Sequence, residues 1–490
     1  MRTFKCKSCG YTTNLETSEY FICPNCGYEE EYDESDNIDS IINSVIEDVL
    51  LEKKQKIINK DDKNKSLDIS PDNRIISKSL EKCTNCGLCK KTCEDFANLS
   101  YDLNVCDKPV CTNCGACVLA CPNGALTFKH NYREIKSIID LNEKIVVAIV
   151  DPSVYPYLHE LTTNTLDVET KLVGALKKLG FDYVFNGAYA GDLSILEEVT
   201  EFAERLKNKQ LLPMFTSSCP SWTAYAEIYH PEIIKNISTC KTPLQMHSAV
   251  IKDYFEKVNG FEKSKVITVG ISTCTSLLDN YKDRLNLDYS LPLNELMLLL
   301  EEEEIDIDDV TPVNYDPTLS ECSASSYLRS KCGGESEAFV RTFYRIMKKS
   351  KLKENEIDFI ELRDVDGFKE ATIKILDYPL RIAIVEGLVN LEKIMKDDKY
   401  KHYHLIEVMN CKSGCIGGSG RLFNTNNVNL NIDKIYKKDK ESSKRCAHDN
   451  KEIKQLYKEM LNKPLSEKCL EILHRNYIDR SNLVKNKLEL

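Results

Sequence analysis

Residues 405–418 read LIEVMNCKSGCIGG. A short apolar run stops at a loop carrying two cysteines at Cys-x3-Cys spacing, and glycines follow. That is the pattern of a buried strand delivering functional groups from its C-terminal end. Two other segments are built alike: FTSSCPSW (215–222) carries Cys219, and GISTCTS (270–276) carries Cys274. Around them, strand-like and helix-like periods alternate. IVVAIV (145–150) predicts a buried strand, and VETKLVGALKKLG (168–180) predicts an amphipathic helix ending at Gly180. KVITVGIST (265–273) and RIAIVEG (381–387) predict further strands, and KEIKQLYKEMLNKP (451–464) a late helix ending before proline. The alternation predicts an α/β domain over residues 140–490. By spacing alone, Cys219, Cys274, Cys411 and Cys415 fit a cubane site, and they also fit buried structural cysteines. Gly414, Gly417, Gly418 and Gly420 leave room for backbone to approach a bulky group.

Upstream, the pattern is more specific. Cys83-x2-Cys86-x2-Cys89-x3-Cys93 is followed by Cys111-x2-Cys114-x2-Cys117-x3-Cys121-Pro122. In two-cluster ferredoxins the fourth cysteine of each run serves the other cluster. One [4Fe–4S] cluster is therefore assigned to Cys83, Cys86, Cys89 and Cys121, and a second to Cys111, Cys114, Cys117 and Cys93. Gly87 and Gly115 sit where turns bring backbone N–H groups to sulfur. This predicts a small α+β ferredoxin-like domain over 81–135. Glu94 stands where proline often follows the fourth cysteine, and Cys106 reads as a spare thiol.

Residues 1–30 hold Cys6-x2-Cys9 and Cys23-x2-Cys26. Four thiolates on two knuckles close a tetrahedral site for one iron or zinc. CKSCGY and CPNCGY resemble both rubredoxin-like domains and zinc ribbons, which predicts a small four-cysteine knuckle domain. Residues 31–80 are charged, and Asp39–Lys60 has helical apolar spacing, so this stretch is predicted to be a helical linker.

The 490 residues contain 22 cysteines, mostly in tight pairs, and carry a net charge of −11. Without a secretion signal, such cysteines predict metal sites in a reducing compartment rather than disulfides. The acidic balance argues against nucleic acid. No apolar run reaches the ~18 residues of a membrane span. The expectation is a cytoplasmic protein with neither nucleic-acid nor membrane partner. Cys240, Cys322, Cys332, Cys446 and Cys469 have no partner at ligand spacing and read as small buried hydrophobes.

The three cysteine segments, in this order, resemble the signature motifs of the [FeFe]-hydrogenase catalytic domain. The resemblance extends through VDPSV (150–154), TKLVGALKKLGFDYVF (170–185), GDLSILEEVTEFAERL (191–206), STCKTPLQM (238–246), GFKEATIKI (367–375) and AHDNKEIKQLYKEMLNKP (447–464). It implies a two-lobed α/β domain holding an H-cluster between the lobes. That cofactor is a [4Fe–4S] cubane bridged to a diiron unit with CO, cyanide and dithiolate ligands. It implies Cys219, Cys274, Cys411 and Cys415 as cubane ligands, with Cys415 bridging and Met409 packed beside it. Glu198, Glu201 and Ser238 match the family's proton relay. The implied partners are H2, protons, a small electron carrier such as ferredoxin, and hydrogenase maturation proteins.

Several positions depart from the family pattern. Ser218 replaces the cysteine that carries protons to the diiron unit, and a hydroxyl does not titrate near neutral pH as a thiol does. Ser272-Thr273 replaces Met-Pro, Leu277 a lysine, and Asn280 a glutamate. The third motif ends GGSGR. These departures are similar to the branch of the family proposed to be sensory or slow. The functional expectation is slow reversible hydrogen oxidation, with two rivals: a hydrogen or redox sensor carrying the same cofactor, and an assembly protein holding cubanes alone.

Overall fold

The computed structural model describes residues 66–71, 73–99, 110–162, 168–278, 287–422 and 428–485, with the short stretches 2–5, 12–15, 20–22, 25–26 and 29–31. The chain divides into two units, Met1–Lys65 and Ser66–Leu490.

In the first unit, Arg2–Lys5 pairs antiparallel with Thr12–Leu15, and Tyr20–Ile22 with Glu29–Glu31. Cys26 lies exposed in a turn between the second pair. Cys6, Cys9, Cys23 and the helix expected over 39–60 fall outside the described residues.

The second unit is built on two four-stranded sheets. The first runs Tyr289–Pro292, Val266–Ser272, Ile145–Val150, Tyr183–Asn186, all parallel. Parallel strands covered on both faces are apolar at nearly every position. Val146, Ala148 and Val150 pack with Leu172 and Leu176 of the helix Val168–Leu179, whereas Val147 and Ile149 pack with Leu244 and Ile251 of Pro243–Tyr254 and with Ile453. The predicted helix end is observed at Gly180, whose φ is +105°.

The second sheet runs Phe368–Ile375, Tyr378–Glu386, Leu405–Met409, Met214–Phe215. Its first pair is antiparallel and the other pairs are parallel. The edge strand Phe368–Ile375 is mostly exposed along its first half, as an antiparallel strand with one solvated face should be.

The ferredoxin-like part consists of the helices Leu88–Ala97 and Ala116–Leu119 and the antiparallel pair Ile76–Lys78 with Leu126–Phe128. Its residues Leu67, Ile76, Leu126 and Phe128 share one core cluster with Trp222, Ala383 and Val385 of the second sheet's lobe. This moves the linker boundary expected at residue 80. Residues from Ser66 onward are folded here: the Leu67 N–H donates to Cys89 Sγ at 3.3 Å, Lys78 Nζ donates to the Leu67 carbonyl at 2.6 Å, and the Ser79 N–H bonds Ala125. A three-residue strand among charged residues is too short to register as periodicity, and only its partner 50 residues away defines it. Among the described residues, no helix is long and apolar enough to cross a membrane.

Candidate metal centre

One cavity is lined by residues following five of the parallel strands: Asp151, Gly187, Cys219, Cys274 and Cys411. Cys415, Ser218, Leu277 and Met409 line it too. Each cysteine reaches the cavity for a local reason. Cys219 caps the helix Pro220–Tyr229, whose Pro220 needs no donor at its first position. Cys274 follows the last residue of Val266–Ser272 by two, and its N–H bonds Ser272 Oγ at 3.2 Å. Cys411 and Cys415 bracket a tight loop in which Gly414 adopts φ +86°. A Cβ there would lie 2.6 Å from the Cys332 nitrogen, so the loop requires glycine.

Burial and mutual repulsion push these thiols up, Cys274 to about 12 and Cys411 and Cys415 well above the usual thiol value. Four half-buried thiolates lining one cavity are tolerable only around a cation. An all-sulfur donor set suits iron–sulfur chemistry. The surroundings fit a bulky group as well. A Cβ on Gly418 would lie 2.3 Å from the Thr273 carbonyl, and buried Asn410 Oδ1 and Arg329 Nε have no protein partner. Leu277, buried, makes an apolar wall where the resemblance implied a lysine.

The expected relay carboxylates are buried rather than solvated. Glu198 and Glu201 both lie on the helix Ala188–Asn208. Glu201 accepts from Ser238 Oγ at 2.9 Å and pairs with Arg205 at 2.6 Å. Glu198 accepts from Ser217 Oγ at 3.1 Å. Ser218 is not bonded to Glu198; its hydroxyl donates to Glu335 Oε2. Glu335 is held from the other side by Arg329, Nη2 to Oε1 at 2.8 Å. Sequence reading missed both residues. Glu335 stands in the first turn of the helix Gly334–Lys348, where an acid normally complements the helix dipole.

Glu198 is fully buried, and burial with the charge of Glu335 pushes it up to about 8. It holds its proton more tightly folded than unfolded. Its contribution to stability therefore falls as pH rises from its ordinary value of 4.5 toward about 8 and is flat above. The fall in thermal midpoint between about pH 5 and pH 8 should be shallower in Glu198→Gln than in the wild type. Parallel curves would count against a buried, protonated Glu198.

Four of the eight ferredoxin-run cysteines share one small space. Cys83, Cys86, Cys89 and Cys121 line one small cavity. Burial, with the charges of Cys114, Cys111, Cys93 and Cys89, pushes the Cys117 thiol well up. Gly87 and Gly115 are both left-handed, at φ 80° and 74°. A Cβ on Gly115 would meet Phe128, Ser419 and Thr275 at 2.8 Å, so the second run sits directly against the cavity loops. Cys106 lies outside the described residues, as does Asn280. Of the unassigned cysteines, Cys240, Cys332, Cys446 and Cys469 are buried and Cys322 is half-buried.

Comparison with known proteins places this geometry. Residues 144–419 match the family model described as iron only hydrogenase large subunit, C-terminal domain. Residues 427–480 match iron hydrogenase small subunit, and 107–127 a 4Fe-4S binding domain. Iron hydrogenase 1 of Clostridium pasteurianum is 31% identical over 73% of this chain and 65% of its own length. The NADP-reducing hydrogenase subunit HndD of Solidesulfovibrio fructosivorans is 31% identical over 83% of this chain and 75% of its own length. The cytosolic Fe-S cluster assembly factor narfl of Danio rerio is 28% identical over 70% of this chain and 89% of its own length. A solved structure of an [FeFe]-hydrogenase variant from Chlamydomonas reinhardtii superposes with a TM-score of 0.60 at 27% identity, covering 71% of this chain and 99% of that one.

Proposed function

Because the chain belongs to the iron-only hydrogenase family, we propose that it interconverts H2 with protons and electrons at an H-cluster, slowly. The observation that carries the reading is the convergence of four thiols with Met409 and Ser218 on one cavity, with Ser218 bonded in turn to buried Glu335. Cys219, Cys274, Cys411 and Cys415 would hold the cubane, with Cys415 the bridging ligand. When bound, the diiron unit supplies the site at which H2 is split or formed. The chain's own residues do the rest. Leu277 and Leu244 keep one side of the cavity dry. Ser218 presents a hydroxyl to the reacting side and shares its proton with Glu335. Ser238 donates to Glu201 in a second buried hydrogen-bonded pair. Cys93, Cys111, Cys114 and Cys117 would hold one [4Fe–4S] cluster and Cys83, Cys86, Cys89 and Cys121 another. Cys6, Cys9, Cys23 and Cys26 would hold one iron or zinc. The partners are then H2, protons, a small one-electron carrier such as ferredoxin, and the hydrogenase maturation proteins that load the diiron unit; the reading places the protein in the cytoplasm.

Infrared spectra of anaerobic protein loaded with the diiron cofactor, with and without H2, test this. CO and cyanide bands that shift under H2 are expected. Their absence from protein with a loaded cubane would leave an assembly or electron-transfer role, as in the relative named for Fe-S cluster assembly.

The second reading is a hydrogen or redox sensor with little turnover. Ser218 and Leu277 favour it, because both remove a polar or titratable group from the reacting side. Ser218→Cys places a thiol of pKa near ~8.5 beside Glu335. It is expected to raise turnover by about 10-fold or more if proton delivery limits the rate. An unchanged rate would mean that something other than Ser218 sets the slow turnover.

A further inference from the structure

Cys446, His448 and Asp449 stand together on one turn, CAHD (446–449). A thiol sulfur, an imidazole nitrogen and a carboxylate oxygen, one from each, all lie within 4.8 Å of one another. The turn lies between the helices Val428–Glu441 and Lys451–Leu456, and its Ala447 shares a core cluster with Phe339 and Phe343 of Gly334–Lys348. Both of its ends are fastened. Arg445 donates to Glu354, Asp358 and Asp439 at 2.6–2.7 Å. Asn450 donates to Asp192 at 3.1 Å and to the Glu321 carbonyl at 2.6 Å, and it accepts the Ile453 N–H at 3.2 Å. Between these anchors the Asp449 N–H bonds the Cys446 carbonyl at 3.0 Å. The three donor side chains, by contrast, are unspent. Cys446 is 2% exposed, and among the described residues its sulfur has no hydrogen-bond partner. His448 Nδ1 is 3.5 Å from Thr342 Oγ1, and Nε2 is 3.8 Å from Asp449 Oδ1, both longer than an ordinary hydrogen bond.

We propose that Cys446, His448 and Asp449 bind one divalent cation of intermediate softness, for which Zn2+ is the best match, with water at the fourth position. Thiolate, imidazole and carboxylate are the donors that zinc takes, and three protein ligands leave its tetrahedron one open corner. Calcium and magnesium prefer oxygen alone, and cuprous copper prefers sulfur. A tetrahedral zinc site holds its donors roughly 3.5 Å apart. His448 and Asp449 already stand 3.8 Å apart, so side-chain rotation on a fastened backbone closes the set. On binding, Cys446 releases its proton to solvent, and thiolate and carboxylate together cancel the charge of the dication. Nothing is oxidised or reduced. The guanidiniums beside the turn are already paired, Arg341 with Glu337 and Asp439, and Arg445 with Asp358 and Asp439. The ion braces the C-terminal segment where it packs on the helix Gly334–Lys348, and it stabilises the folded chain by mass action. The site is separate from the four-thiol cavity and independent of the cluster assignments.

The test is zinc binding by the full-length, cluster-loaded protein, wild type against Cys446→Ser, His448→Ala and Asp449→Asn. After dialysis against micromolar zinc, the wild type is expected to retain one more zinc per chain than Cys446→Ser or His448→Ala, whatever the N-terminal cysteines hold. Asp449→Asn should raise the zinc Kd by at least about 10-fold, the lower end of what changes beyond the ligands themselves cost. Cadmium-113 resonance identifies the donors. The wild type should show a signal of mixed sulfur, nitrogen and oxygen ligation that Cys446→Ser lacks. Should the serine variant fail to fold, the half-buried His448 and Asp449 variants decide the matter. Equal zinc content and equal affinity in the wild type and folded variants would overturn the proposal, as would a wild type whose cadmium signals are all of four-sulfur type.

Discussion

Glu335→Gln is expected to lower hydrogen turnover of the loaded protein by about 10²–10⁴-fold, the range over which positioned proton transfer contributes to a rate. The argument begins with Ser218, whose hydroxyl cannot ionise near neutral pH and so passes a proton only as fast as a neighbour accepts one. That neighbour is Glu335, with Arg329 on its other oxygen. Glu407 stands close enough to feel its charge and is pushed up to about 7 by burial and by Glu335. Glu407 also fixes the segment, accepting the N–H groups of Gly333 and Ser336 at 2.7 Å each. Glutamine retains the shape and an acceptor oxygen for Ser218, but it cannot take up a proton. Infrared bands of the bound cofactor should therefore persist in the variant while H2 oxidation and H/D exchange both collapse. A rate within twofold of wild type would route the proton through Ser217 and Glu198 instead.

How much of this was legible in the sequence depended on spacing. The ferredoxin runs were readable because each thiol's partners lie two or three residues away and the crossing of the fourth ligand follows a known pattern. The strands Ile145–Val150, Val266–Ser272, Tyr378–Glu386 and Leu405–Met409 were readable because parallel strands buried on two faces are apolar nearly throughout. The strand Ile76–Lys78 was not, since three residues carry no period and the pairing with Leu126–Phe128 is long-range. Glu335 and Asn410 were missed for a different reason. Each has an ordinary local explanation, a first-turn acid and a loop asparagine. Only contacts across about 117 and 189 residues, to Ser218 and Ser221, reveal a role in the site. Ser218 was identified in the sequence, but its partner Glu335 was not.

Arg341→Ala is expected to cost about 3–5 kcal/mol of stability, the usual cost of removing one member of a buried ion pair. Arg341 is 0% exposed, and all five of its N–H bonds have acceptors. Nε donates to the Ile357 carbonyl, Nη1 to Asp439 and the Arg445 carbonyl, and Nη2 to Glu337 and Asp439, all at 2.7–2.9 Å. Removing the guanidinium would strand Glu337 and Asp439 in the interior, although Arg363 and Arg445 retain part of the compensation. Arg341→Lys should be nearly as damaging, because one ammonium cannot reproduce a planar fork. The pair matters beyond stability. Asp439 lies on the helix Val428–Glu441, and that helix carries Tyr436, whose ring sits 4.5 Å from Lys331 Nζ. Lys331 immediately precedes the Cys332–Glu335 turn that presents a carboxylate to Ser218. Loosening Arg341 should therefore free that turn as well, lowering turnover at temperatures where the protein is still folded. Denaturant unfolding measures the first effect and turnover well below the melting midpoint the second. A variant that loses stability yet turns over normally would show that the C-terminal helix braces the fold without placing Glu335.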